Sequence, residues 1–217
     1  MLRGAIFDFD GVIVDSHPVH KRAWRKLFES MGRTTSEEEL QFVLDGRKRE
    51  DILQHFLGDL DSKLMIESGH RKEQFFRDEA AAVQTIDGLV GFLEDLADSH
   101  VASAIASSGS GSRVNFLLDR LNLKKHFRVV ITGDDVERGK PDPAIFLRAA
   151  QNLQLAPPEL IAFEDAQSGV RAARSSGMVC VGIAQRDGAS SLLEAGAHDV
   201  VSDFRSLSYC KLEKLFA

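Results

Sequence analysis

The strongest constraint on the fold is a regular alternation of short apolar runs with amphipathic stretches after Gly88. A helical pattern at 89–98 precedes a strand-like run at 101–106, and a helix at 112–121 precedes Val129-Val130-Ile131. Pro143 opens another helix, Leu160-Ile161-Ala162-Phe163 reads as a strand, 167–175 as a helix, Val179–Ile183 as a strand and 189–195 as a helix. Such alternation predicts an α/β fold, a parallel Rossmann-like sheet with helices on both faces. Residues 2–9 supply a first buried strand, closed by Asp10-Gly11.

Between that strand and the alternating region the texture changes. From Ser16 to Val83 apolar residues recur at helical spacing: Trp24, Leu27, Phe28 and Met31, then Leu40, Val43 and Leu44, then Ile52, Leu53, Phe56 and Leu57. The chain is therefore expected to form a discontinuous α/β core, residues 1–15 and 84–217, with an all-helical cap inserted at 16–83. An insertion just after the first strand emerges where open α/β sheets bind ligands, so the cap should roof the site.

Composition narrows the function. The chain is 43% hydrophobic and 28% charged, enough apolar side chain for a packed core, which excludes a disordered chain. With 27 basic and 33 acidic residues the net charge is −6, so no overall field attracts nucleic acid or an anionic membrane. No apolar run approaches the roughly 20 residues of a membrane span, and the N-terminus has no signal-peptide pattern. The protein is read as cytoplasmic. Its two cysteines, Cys180 and Cys210, make neither a disulfide framework nor a metal cluster.

The residues that end the strands point to the chemistry. Asp8-Phe9-Asp10-Gly11 follows the first strand, Ser107-Ser108-Gly109 the second, Lys140 lies beyond the third, and Glu164-Asp165 ends the fourth. A parallel sheet gathers these ends on one edge. Two carboxylates about 4 Å apart repel by about 1 kcal/mol in water and about 4 kcal/mol at an effective dielectric near 20, so a cluster of them needs a cation. Lys140 supplies one charge, and an all-oxygen ligand set suits Mg²⁺ better than zinc. Held there, a carboxylate can attack phosphorus, and a second acid two residues on can protonate the leaving oxygen and then activate water. Ser107 and the amides of the following loop can bind non-bridging oxygens. Each piece has a bland reading: Asp-x-Asp is a common turn, Lys140 a solvated charge, and Glu164-Asp165 a helix cap. Their order along four strand ends leaves little room for coincidence.

In that order the motifs resemble those of the haloacid dehalogenase superfamily of phosphotransferases: Asp8-Phe9-Asp10-Gly11-Val12, Ser107 after Ile105-Ala106, Lys140-Pro141, and Glu164-Asp165-Ala166-Gln167-Ser168-Gly169. The resemblance implies Asp8 as nucleophile, Asp10 as general acid and base and, through its backbone carbonyl, a metal ligand, and Asp165 as an Mg²⁺ ligand with Glu164 beside it. Asp10 argues for phosphoryl transfer over dehalogenation. The helical block resembles the small cap of the branch that holds β-phosphoglucomutase and sugar-phosphate phosphatases. Ser16, His20 and Trp24 fit its hinge and first helix, and Gly46-Arg47-Lys48-Arg49-Glu50-Asp51 its specificity loop. This resemblance gives Arg49 the phosphate that is not transferred, with Lys72 or Arg71 as a second cation; Arg suits the task because its planar fork pairs two oxygens at once. Ser108, Gly46 and His20 complete the expected substrate contacts.

The expected activity is Mg²⁺-dependent hydrolysis of a small phosphorylated metabolite by a monomer whose cap swings. A hexose phosphate mutase is the alternative. Two features weigh against it: Ser108-Gly109-Ser110-Gly111 lacks large polar side chains for a distal phosphate, and His17-Pro18 stiffens the hinge. A receiver-like phosphoacceptor domain would combine similar groups in a different chain order and without the helical block. A dinucleotide loop at Gly109-x-Gly111 lacks its third glycine.

Overall fold

The computed structural model describes residues 1–184 and 186–216. Its strands are β1 (Gly4–Phe7), β2 (Val14–Asp15), β3 (Gln84–Thr85), β4 (Ala102–Ala106), β5 (Val129–Ile131), β6 (Leu160–Glu164), β7 (Val179–Ile183) and β8 (Asp199–Val201). The helices are α1 (His17–Ser30), α2 (Arg49–Leu57), α3 (Ser62–Asp78), α4 (Leu89–Asp98), α5 (Gly111–Arg120), α6 (Ala144–Leu153), α7 (Gln167–Ser175), α8 (Arg186–Glu194) and α9 (Tyr209–Glu213).

Six strands form one parallel sheet in the order β5-β4-β1-β6-β7-β8. β1 and β6 are buried at every position, as strands covered on both faces must be. Successive side chains point to opposite faces. Phe7 and Phe163 stack at 4.8 Å between ring centroids and pack with Phe92 of α4 and Val114 of α5. Ile6 and Ala162 face the other way, against Ile145 and Phe146 of α6 and Val170 of α7.

The inserted helices have an apolar centre of their own, built from Trp24, Leu27, Phe28, Leu40, Val43, Ile52, Leu53 and Phe56. Local signals set the helix ends. Pro18 occupies the first turn of α1, where its missing N–H costs nothing. Asp61 caps α3 by accepting from the Leu64 amide at 2.8 Å.

Three details differ from the sequence reading. Residues Glu39–Leu44 form a 3₁₀ helix rather than an α-helix. β1 is shorter than the apolar run 2–9: it spans Gly4–Phe7, and the chain bends at Phe9. β8, α9 and the two-rung β2–β3 ladder were not anticipated; each is too short for its periodicity to show. That antiparallel ladder pairs Val14 with Thr85 and Asp15 with Gln84, so it ties together the two chain segments that enter and leave the helical insertion. Among the described residues no helix is long and apolar enough to cross a membrane.

Candidate active site

After β1 the chain passes to β4 and β5 on one side, then returns to β6 on the other. The β1/β6 boundary is therefore the point where the strand order reverses, the usual place for a ligand crevice. Register aligns Phe7 with Phe163, and the Asp8 amide donates to the Phe163 carbonyl at 2.9 Å. Asp8 and Glu164 thus leave neighbouring strands side by side. Lys140 joins them: its buried ammonium donates to Asp8 Oδ1 and Glu164 Oε1. The other Glu164 oxygen, Oε2, accepts from the amides of Asp165 (3.0 Å) and Ala166 (3.1 Å). A Cβ at Gly169 would overlap this carboxylate, which gives the glycine of the fourth motif a steric reason.

Asp8, Glu164 and Asp165 each offer an oxygen within 4.8 Å of the others'. Burial pushes the Asp8 carboxyl up to about 7, against the pull of Lys140. It raises Glu164 against Lys140, and Asp165 against His17, whose Nε2 lies 3.0 Å from Asp165 Oδ2. Burial works against the charge of His17, but Asp165 outweighs it and lifts the imidazole to about 9. Three carboxyls that resist ionisation together, with oxygen donors only, fit a hard divalent cation.

Asp10 is not part of that cluster. Its carboxylate accepts from Arg113 through two bonds of 2.7 Å, Nη1 to Oδ1 and Nη2 to Oδ2, and from the Ser16 hydroxyl at 2.6 Å. His20 Nε2 lies 3.1 Å from Oδ1, and His20 Nδ1 lies 3.1 Å from the Lys72 ammonium. An ammonium can only donate, so Nδ1 accepts and Nε2 carries the proton given to Asp10; this is a neutral imidazole. Its buried position, then the charge of Lys72, hold the His20 pKa down to about 3. Burial pushes Asp10 up, but Arg113 and then His20 hold its carboxyl well below the usual carboxylate range.

The sequence reading missed Arg113. It sits inside α5 as one polar residue of an amphipathic helix, and no motif marks it. The readable signal was the small loop before it, since a Cβ at Gly109 would collide with the Arg113 guanidinium.

A cavity of about 200 Å³ opens between the sheet edge and the inserted helices. Asp8, Asp10 and Asp165 line it from the sheet side, as does Ser108, and Gly46, Arg49, His20 and Lys72 line it from the helical side. Ser107 and Lys140 stand behind the lining: the Ser107 hydroxyl accepts from the Gly109 amide at 3.1 Å. Three side chains dock the loop at 45–48 on the core. Ser108 Oγ donates to the Gly46 carbonyl at 2.5 Å, Ser168 Oγ to the Asp45 carbonyl, and Lys48 Nζ to the Val136 carbonyl at 2.8 Å. Arg49 lies against Gly69 and donates to Glu50 Oε1 at 3.1 and 2.7 Å. Lys72 is buried, over the rings of Trp24 and Phe76, and burial lowers its pKa to about 8. Arg71 is exposed and reaches Ser30, outside the cavity.

The model of the haloacid dehalogenase-like hydrolase family matches residues 5–183. A phosphorylated carbohydrates phosphatase of Thermotoga maritima is 32% identical over 97% of this chain and 99% of its own length. A β-phosphoglucomutase of Bacillus subtilis is 30% identical over 85% of this chain and 84% of its own. The crystal structure of a β-phosphoglucomutase from Clostridium difficile superposes with a TM-score of 0.89, covering 100% of this chain and 97% of that one at 24% identity, a likeness of fold. The chain belongs to the haloacid dehalogenase-like hydrolase family, as an enzyme whose relatives include phosphatases and phosphoglucomutases.

Proposed function

We propose that the chain is a Mg²⁺-dependent phosphatase that passes the phosphoryl group of a small phosphorylated sugar, or a related metabolite, through Asp8 to water. The observation that carries this reading is the placement of Asp8, buried at the floor of the cavity with one oxygen held by Lys140 and the other left to react. In the first step that oxygen bonds to phosphorus as the bond to the substrate oxygen breaks, and Asp10 gives the departing oxygen its proton. In the second, water attacks phosphorus and yields a proton to Asp10. The Asp8–phosphorus bond breaks and inorganic phosphate leaves.

Asp8 and Asp165, with Glu164 beside them and the Asp10 backbone carbonyl, would hold Mg²⁺, which supplies positive charge against the phosphoryl oxygens. Lys140 orients Asp8 and favours its ionised form against the pull of burial. Ser107 accepts from the Gly109 amide and so fixes the loop, while the Ser107 hydroxyl proton and the Ser108 amide would meet the phosphoryl oxygens. His20, Lys72 and Arg49 meet the rest of the substrate, beside Gly46 and Ser108. Residues 16–83 act as a cap that excludes water when closed and releases product when open, on a core formed by 1–15 and 84–217.

The substrate class draws support from the Thermotoga maritima relative, whose name specifies phosphorylated carbohydrates. A mutase reading is favoured by the Bacillus subtilis relative and by Arg49 on the cavity wall. The two separate on incubation with β-glucose 1-phosphate, Mg²⁺ and a trace of hexose bisphosphate. Free phosphate is the expected product; glucose 6-phosphate would mean a mutase. Asp8→Asn is expected to abolish turnover, and turnover equal to that of the wild type would overturn the covalent mechanism.

A further inference from the structure

We infer that Arg113 is a positioning residue for Asp10 and that Glu73, on the inserted helix α3, is its second seat, so that transfer of Arg113 from one carboxylate to the other frees Asp10 for proton transfer. This rests on the proposed role of Asp10 as general acid and base.

The first observation is that Arg113 takes both Asp10 oxygens, through Nη1 and Nη2 at 2.7 Å each. A carboxylate held that way resists taking a proton, because each oxygen accepts from the guanidinium and Oδ1 accepts from Ser16 and His20 as well, which leaves only the outer lone pair of Oδ2. A second arrangement of the pair would remove that resistance during turnover. The second observation identifies it. Arg113 Nε lies 3.9 Å from Glu73 Oε1, beyond hydrogen-bond reach, and both Arg113 Nε and Glu73 Oε2 are buried without a partner. A buried donor and a buried acceptor left unmade beside each other are costly, and they mark a contact formed in another state. The Nε–Nη2 edge of the guanidinium is the edge that a planar fork would offer to Glu73.

The loop before α5 leaves the guanidinium its place. The guanidinium lies against Gly109, where any side chain would collide with it, and over the ring of Phe76 at 5.2 Å. Asp10 belongs to the sheet edge and Glu73 to the inserted helices, so the position of Arg113 reports how those two parts sit together. Lys72 Nζ, 3.5 Å from Glu73 Oε1, keeps the empty seat charged.

Two measurements test the transfer. In the first, kinetics are compared on glucose 6-phosphate, whose alkoxide leaving group needs a proton, and on p-nitrophenyl phosphate, whose leaving group needs far less assistance. Glu73→Gln should lower kcat on the sugar phosphate at least tenfold with KM within about twofold, and change kcat on the aryl phosphate less than threefold. In an Arg113→Met background Glu73→Gln should have no further effect, because Glu73 acts through Arg113. Arg113→Lys, which keeps a charge but not the fork, stands in if Arg113→Met does not fold. Equal losses on both substrates, or additive losses in the double variant, would overturn the inference.

The second measurement needs no turnover. Crystals of the wild type grown with Mg²⁺ and beryllofluoride should hold Arg113 within hydrogen-bond distance of Glu73 and Asp10 released from it. Arg113 still forked on Asp10 would overturn the transfer. Loss of the requirement for Asp8 would sink the parent mechanism instead, which keeps the two failures distinguishable.

Discussion

Lys140 donates to Glu164 across 24 residues of chain, and the same ammonium also holds Asp8, so one buried cation fixes the two strand ends that carry Glu164 and the proposed nucleophile. Its side chain has no exposure at all. Burial opposes its charge, but Asp8 and then Glu164 outweigh that and raise its pKa, so Lys140 stays charged throughout the working range. Lys140→Met would leave two carboxylates facing each other in a dry site. Breaking a buried pair this way costs about 3–5 kcal/mol, and loss of one preorganised charge at a reacting centre costs about 10²–10³ in kcat. Urea unfolding and turnover should both register the change. A variant as stable and active as the wild type would show that Lys140 is not holding the site together.

The pH dependence of stability has a definite sign here. In the unfolded chain the Asp8 carboxyl loses its proton near its ordinary value of 3.8, whereas in the fold burial holds the proton up to about 7. Between about pH 4 and 7 the folded state therefore binds more protons, and this group's contribution to stability falls as pH rises. Glu164 and Asp165 are shifted the same way, also by burial. Asp8→Asn removes the ionisation, so in metal-free buffer its unfolding midpoint should gain on that of the wild type from about pH 4 to about pH 7. Added Mg²⁺ should raise the wild-type midpoint more at the higher pH, where the carboxyls must otherwise ionise against one another. A midpoint difference independent of pH would count against the shared acidic cluster.

The two cysteines should behave differently toward a thiol reagent. Cys180 is buried in β7, and burial, then the charge of Glu164, raises its pKa; Cys210 is exposed. The thiolate is the reactive form, so one fast equivalent is expected for the native protein and two in denaturant. Two fast equivalents without denaturant would mean that the β6–β7 edge opens readily.

How much of this was legible in the sequence depended on whether a residue's role is local. Asp8, Lys140 and Glu164-Asp165 stood out because a strand end followed by a turn delivers a side chain to a known edge of the sheet, whatever else the chain does. Lys72 and Arg71 were harder to separate: both are basic residues on one helix. The fold settles their places by burying Lys72 over Trp24 and Phe76 and leaving Arg71 in solvent. Arg113 was not legible, because it meets Asp10 across 103 residues of chain, and only through the gap left by Gly109. β8 escaped for another reason, since a three-residue edge strand has no period to detect.

Closure of the inserted helices on the core should depend on Lys48. Its ammonium donates to the Val136 carbonyl at 2.8 Å and to the Glu137 carbonyl at 3.4 Å, while its aliphatic stem lies against Gly139, just before Lys140. These contacts join the loop at 45–48 to the segment that positions the buried lysine. Hydrogen bonds from a charged donor contribute about 1.5–3 kcal/mol net, and part of that is recovered from water when the loop lifts. Lys48→Ala keeps every group that faces phosphorus, so its effect should fall on the closed state. We expect KM for a sugar phosphate to rise about tenfold, equivalent to about 1.4 kcal/mol, with kcat within about threefold. Hydrogen exchange at residues 45–48 and 136–139 should quicken together in this variant. Lower kcat at unchanged KM, with exchange unaltered, would place Lys48 in the chemical step and remove it from closure.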